Sequence, residues 1–423
     1  MTIEEKVHLL VGAGTSATDL EAAIIGQTRK LVPGAAGTTF PIERLGVPAI
    51  VFADGPAGIR ISATRDSTAQ TFYATQFPIG TLLAATWDTV LVRRVGNAMG
   101  EEVHEYGADV LLGPGMNLQR NPLNGRNFEY FSEDPLLTGK IAAAIVNGIQ
   151  QQGVGTSVKH FVANNQEPNR LNNNTIVPTR ALREMYLRPF EIVVKEAQPW
   201  TIMTSYNKLN GTYTAERADL LTTVLRDEWG FTGTVMTDWW AKGNDREGEE
   251  ATRENVAAQV RAQNDLNMVN ADAASNSQHD NLDDALADGR LTRDALVRSA
   301  MNICRTVMNS PVMERSLGRM SDEEREAAEA EKTSEDYVDF NGEYQFIDDE
   351  APLDISAVNT EKGASTVLGI RYKKNGLYKF VMRVKANANE VAQIPMSIFI
   401  DGNLRGMVMI NGTNGEVVTA EQD

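Results

Sequence analysis

A chain of 423 residues, 42% apolar and 23% charged, has the size of two or three domains and the composition of an ordinary globular protein with a large core. Its net charge of −17 speaks against a nucleic-acid partner, which needs a basic footprint, and fits a neutral ligand better. Cys304 stands alone, so no internal disulfide or cysteine-based cluster is expected, and no apolar run reaches the roughly 18 residues of a membrane span.

The start, MTIEEKVHLL, is acidic and helix-like. It lacks the basic segment, apolar core and cleavage site of a signal peptide, so a cytoplasmic location is the expectation, with Met1 either a native start or a boundary. From there to about residue 310, strand-like runs alternate with helical patterns. The runs are AIVFADG (49–55), FPIGTLLAAT (77–86), DVLLGPGMN (109–117), TSVKHFVAN (156–164), WTIMTSYN (200–207), GTVMTDWW (233–240) and DLNMVN (265–270). Between them, residues 180–196 put Leu182, Met185, Tyr186, Phe190 and Val193 on one side of a helix, and a helix over 218–229 stops at Gly230. A last helix, 293–309, is capped by Thr292. Strand–helix repetition reads as a parallel sheet, and seven runs suit a (β/α)8-type barrel over residues 1–315, with its eighth strand not evident.

The composition then shifts. The charge run 321–336 marks 316–336 as a linker or solvated surface helix, with Ser321 and Glu324 as a capping box. From 337 to 423 the period becomes that of strands. TVLGIRYKK, LYKFVMRVKA, PMSIFIDG and RGMVMING are separated by KNG, DGN and NGTNG turns, the pattern of a β-sandwich-like module that ends abruptly.

Functional groups of a β/α barrel gather where its strands end. Asp54, Lys159-His160, Tyr206-Asn207 and Asp238 all end strand-like runs, and Arg126 lies in the long loop 121–135. Carboxylates, cations and tryptophans together suit a sugar. Taken singly, each residue has an ordinary structural reading: Asp238 as a cap or ion-pair partner, Lys159-His160 as a salt-bridged pair, Trp239 and Trp240 as core. With 4 histidines and no HxH or HExxH spacing, no metal site is expected, and LLGPGMN lacks the GxGxxG spacing of a nucleotide loop. No cofactor is expected.

Six blocks in order resemble glycoside hydrolase family 3, the β-glucosidase and β-xylosidase group: IERLGVPAIVFADGPAGIR, FPIGTLLAATWD, RNPLNGRNFEYFSEDP, GTSVKHFVANNQEPNR, MTSYNKLNG and LLTTVLRDEWGFTGTVMTDWW. The resemblance implies a retaining glycosidase acting on β-linked glucosides, xylosides or related oligosaccharides. It casts Asp238 as the nucleophile, Asp54, Arg60, Arg126, Lys159, His160, Arg170 and Tyr206 as ligands of the sugar, and Trp239 as part of the wall beside it. Lys159 and His160 are expected to donate hydrogen bonds. A retaining mechanism also needs a second carboxyl about 5 Å from the nucleophile. In this branch of the family an α/β-sandwich domain supplies it, and none is visible. The sequence resembles permuted members, in which that domain precedes the barrel, so the partner is expected in the parent chain or in trans. The hexosaminidase branch uses a histidine in the loop that here reads ANNQEPNRLNNNTIV, without one. Glu167, Asp245 and Glu247 are the nearest substitutes for the acid. Two further readings stay open: a sugar-binding barrel without turnover, and one chain of a two-chain enzyme.

Overall fold

A computed structural model of the chain describes residues 1–14, 31–65, 70–244 and 250–317, with six strands between 345 and 422. It divides into two compact units, Met1–Arg319 and Met320–Asp423.

The first unit is an α/β fold around an eight-stranded, nearly closed sheet. Its strands are β1 (Val11–Ala13), β2 (Gly37–Thr38), β3 (Val51–Asp54), β4 (Val110–Leu112), β5 (Gly155–Phe161), β6 (Thr201–Thr204), β7 (Thr234–Met236) and β8 (Asn267–Asn270). They follow one another in the order β7-β6-β5-β4-β3-β2-β1-β8. β2 alone runs antiparallel to both its neighbours. The circuit nearly closes where β7 meets β8: Met236 bridges Leu266, and the Asp265 and Thr237 amides donate to Val235 O (2.7 Å) and Leu266 O (2.9 Å).

Six of the seven strand-like runs form strands of this sheet. FPIGTLLAAT does not: Gly80–Ala85 is a helix entered from extended Ile79. The Leu-Leu-Ala-Ala run 82–85 favours a helix. β1 and β2 complete the eight. With three and two residues they are too short to show a period.

Helices cover the sheet where their caps start them. Asp88 accepts from the amides of Val90 (2.9 Å) and Leu91 (3.0 Å) to open Thr89–Glu105. Asp134 accepts from Leu137 (2.8 Å) to open Pro135–Gln151. These two helices touch backbone to backbone: a Cβ on Gly96 would lie 2.5 Å from Ile145 O, and one on Gly148 2.2 Å from Arg93 O. The expected helix 180–196 is interrupted. Leu182–Tyr186 forms a wider turn, with Leu187 N donating to Leu182 O (2.8 Å), before Arg188–Ala197 resumes. Pro189 has no N–H to continue the ordinary ladder.

In the second unit Gln345–Ile347 pairs in parallel with Ile370–Tyr372. Phe380–Lys385 pairs antiparallel with Val417–Gln422, and Gln393–Ile400 antiparallel with Asn403–Asn411. The charge run 321–336 lies outside the described residues.

One buried carboxylate ties the closing edge of the sheet to its surroundings. Asp265 is fully buried; it accepts from Arg226 Nη2 (2.6 Å), Val235 N (2.9 Å) and Asn302 Nδ2 (3.0 Å). Truncating one partner of such a pair leaves a buried charge uncompensated. Asp265→Ala is therefore expected to lower unfolding stability by about 3–5 kcal/mol, read as a reduced urea midpoint. A loss below about 1 kcal/mol, the value of a surface pair, would contradict this role.

Candidate active site

β3 delivers Asp54 to the end of the sheet. The next residues, GPAG, turn sharply: Gly55 has φ +146°, and a Cβ there would lie 1.9 Å from Gly58 O. The turn returns Arg60 over Asp54, where its amide donates to Asp54 O and its Nη1 to Oδ2, both at 2.8 Å. Lys159 Nζ, on β5, donates to the other oxygen, Oδ1, at 2.9 Å. Burial pushes the Asp54 carboxyl up, but the charges and hydrogen bonds of Lys159 and Arg60 outweigh it and hold the pKa at about 2.

Lys159 and His160 are consecutive, and ordinary strand alternation would point them to opposite faces. The β5–β6 ladder shifts register between Lys159 and Phe161. A bulge of this kind re-aims side chains, and both residues reach the same carboxylate cluster. His160 is buried, with Nε2 3.7 Å from Asp238 Oδ2. Burial, then the charges of Arg126, Lys159 and Arg170, push its pKa well below the usual histidine range, so the ring is neutral.

Asp238 follows β7 and is buried. Its Oδ1 accepts from the Trp239 amide (2.8 Å), whereas Oδ2 has no hydrogen-bond partner. Burial raises its pKa; Arg126, the Trp239 N–H, Lys159 and Arg170 oppose the rise. Arg126 Nε is held at 2.5 Å by Glu129 Oε1, and Arg170 Nη1 at 3.1 Å by Glu167 Oε2. The Arg170 guanidinium lies 5.0 Å from the centre of the Tyr206 ring. Tyr206, also beside Asp238, donates its hydroxyl to Trp239 O (2.8 Å).

Asp54, Arg126, Lys159, His160, Arg170, Tyr206 and Asp238 thus form one charged cluster. Arg60 stands at its rim, with 66% of its side chain exposed. Trp239 is 1% exposed and sits in the core, its indole N–H donating to Ala36 O (3.0 Å). Glu167 is tied to Arg170, and Asp245 and Glu247 lie outside the described residues. Three buried residues that hold the cluster in place were not singled out from the sequence: Asn117, Glu129 and Tyr130. All three lie inside quoted stretches, but only the structure shows which side chains of a stretch turn inward.

A nearly closed β/α barrel with carboxylates and cations at its strand ends defines a barrel protein with a buried polar cluster on its C-terminal face. Residues 28–306 match the model of the glycosyl hydrolase family 3 N-terminal domain, and the chain belongs to this family. It is 43% identical to a β-glucosidase of Ruminococcus albus over 410 residues, covering 95% of this chain and 42% of that protein. It is 51% identical over 204 residues to an exo-α-(1→6)-L-arabinopyranosidase of Bifidobacterium longum, covering 47% of this chain and 27% of that protein. Among solved structures, β-glucosidase 3B of Thermotoga neapolitana in complex with α-D-glucose is 47% identical with a TM-score of 0.68, over 78% of this chain and 45% of that one. The chain spans less than half the length of these relatives.

The depressed Asp54 pKa sets a pH dependence. A carboxyl whose folded pKa lies below its unfolded value adds stability above the unfolded value and loses it as pH falls. With a shift from 3.8 to about 2, that contribution is about 2 kcal/mol, complete above pH 4 and lost as pH falls through 2. Asp54→Asn should lack this component. Urea unfolding of parent and variant from pH 5 to pH 2 checks it, and parallel stability curves would refute it.

Proposed function

We propose that this chain is the barrel portion of a retaining β-glycosidase acting on glucosides or xylosides, with Asp238 as nucleophile. The observation that carries the reading is the free Oδ2 of Asp238. Every other carboxylate of the cluster has a cation in direct contact: Asp54 has Lys159 and Arg60, Glu129 has Arg126 on its Oε1, and Glu167 has Arg170. A carboxylate oxygen buried without a partner costs free energy unless something else uses it. An anomeric carbon, positively polarised as its bond to the leaving oxygen breaks, is such a user. The glucose complex of a relative supports a pyranose in this pocket. The arabinopyranosidase relative keeps the choice of glycone open.

Asp54 accepts from sugar hydroxyls, with Arg60, Arg126, Lys159, Arg170 and Tyr206 arranged around the ring. Trp239 supports the pocket from the core. Among the described residues, a general acid is the missing part. It must be protonated before the leaving oxygen departs, and Glu129 and Glu167 are held as ion pairs instead. The acid is assigned to an α/β-sandwich domain, in the parent chain or in a separate polypeptide, in keeping with the fraction of its relatives that this chain spans. We read the six strands between residues 345 and 422 as parts of a β-sandwich-like module.

Removing the sugar's charged acceptor should weaken binding. Asp54→Ala is expected to lower glucose affinity by about 1.5–3 kcal/mol, the value of hydrogen bonds to a charged group. Equal affinities by calorimetry would contradict its role.

A leaving group that is already a stable anion needs no proton, and general acid help is worth roughly 10²–10⁴-fold. The chain is therefore expected to react with a dinitrophenyl or fluoride glucoside, leaving the sugar on Asp238 by mass spectrometry, and to be nearly inert on cellobiose. Asp238→Asn should abolish the adduct and retain glucose binding. Comparable rates for variant and parent would sink the nucleophile, and cellobiose turnover on the order of 10 per second would place an acid within this chain. Glucose binding with no adduct from any activated glycoside would favour a binding barrel without turnover.

A further inference from the structure

We propose that Asn117 is a positioning residue that fixes His160 as its Nδ1–H tautomer, so that Nε2 faces the pocket as a hydrogen-bond acceptor for a sugar hydroxyl. The sugar part of this inference rests on the glycone reading above; the tautomer does not.

The orientation of the Asn117 amide is set by two backbone groups whose roles are unambiguous. The His160 N–H can only donate, and it does so to Asn117 Oδ1 at 2.9 Å. The His160 carbonyl can only accept, and it does so from Asn117 Nδ2 at 2.8 Å. Turning the amide over would set donor against donor and acceptor against acceptor. The atom 3.3 Å from His160 Nδ1 is therefore Asn117 Oδ1, which only accepts. A neutral imidazole carries one proton, and this contact requires it on Nδ1.

Tyr130 agrees. Its hydroxyl lies 3.3 Å from His160 Nδ1, donates to Asn164 O at 3.4 Å and receives from Asn164 Nδ2 at 3.3 Å. With the hydroxyl proton turned to Asn164 O, the oxygen presents an acceptor to Nδ1, so Tyr130 is compatible with this tautomer while Asn117 alone requires it. Asn117 and Asn164 are each 2% exposed, and Tyr130 is fully buried, so no solvent competes for these bonds.

The consequence falls on the other face of the ring. Nε2, 3.7 Å from Asp238 Oδ2, holds a lone pair and no proton. It cannot donate to Oδ2, which accounts for that oxygen's lack of a partner and preserves its lone pairs for attack. The expectation that Lys159 and His160 both donate to the sugar is revised: Lys159 donates and His160 accepts. Two neighbouring residues thus demand opposite polarity from the hydroxyls they meet, which orients a ring more sharply than two donors would.

Long-range proton–nitrogen correlation NMR on histidine-labelled protein reads the tautomer directly in the parent chain. Among 4 histidines, the His160 signal is the one lost in His160→Gln. The expected spectrum at pH 7 has Nδ1 protonated and Nε2 bare. Glucose should shift Nε2 while leaving it unprotonated. Asn117→Leu should release the tautomer, leave the other three histidine signals in place as evidence of folding, and weaken glucose binding roughly tenfold. A parent whose His160 carries its proton on Nε2 overturns the proposal even if no variant folds. So does an Asn117→Leu protein that keeps both tautomer and affinity. A parent with the expected tautomer but no glucose binding would instead overturn the glycone reading and leave the Asn117 assignment standing.

Discussion

The site is organised around one buried carboxylate, Asp238, that has no cation in direct contact. Around Asp238 stand three more carboxylates, Asp54, Glu129 and Glu167, and four cations, Arg60, Arg126, Lys159 and Arg170. Charge is balanced, but partners are not evenly shared. Asp54 takes two cations, Glu129 and Glu167 take one each, and Asp238 takes none in direct contact. It is compensated only through space, by Arg126, Lys159 and Arg170 and by one backbone N–H. A buried charge held in this way avoids direct ion pairing, while the neighbouring cations oppose the rise in pKa that burial causes.

That arrangement requires the neighbours to be immobile, since a side chain free to move would close on Oδ2. Each is tied from behind. The Gly55 turn returns Arg60 to Asp54, the β5 bulge turns Lys159 and His160 into one space, and Glu129 grips Arg126. Asn117 holds both the backbone and the ring of His160. The hydrogen bonds that satisfy the buried polar groups are thus the same ones that preorganise the pocket.

Much of this was legible in the sequence, for identifiable reasons. The apolar run AIVFA before Asp54 marks both a strand and its tip, and the β-branched residues before Lys159-His160 and Asp238 mark shorter ones. The two-residue strand Gly37–Thr38 carries no such signal, because sheet closure rather than any local preference makes it extended. FPIGTLLAAT was ambiguous between buried strand and buried helix, as short apolar runs are. The supporting residues Asn117, Glu129 and Tyr130 were hidden differently. Asn117 and Tyr130 act on His160 from 43 and 30 residues away, and Glu129 meets Arg126 within its own loop, so each role depends on which way a side chain turns, which no local pattern encodes.

The same electrostatics bears on where an acid can sit. Arg126, Lys159 and Arg170 all oppose the rise in the Asp238 pKa, and Lys159 with Arg60 holds Asp54 at about 2 despite its burial. The same cations would act on a carboxyl added among them and work against its keeping a proton. A general acid needs the reverse surroundings, apolar or anionic, so that its proton is retained until the leaving oxygen takes it. Nucleophile and acid must nevertheless stand about 5 Å apart. Two opposed environments are then needed over that distance. They follow simply if the second carboxyl arrives on a separate body that brings its own surroundings to the mouth of the pocket.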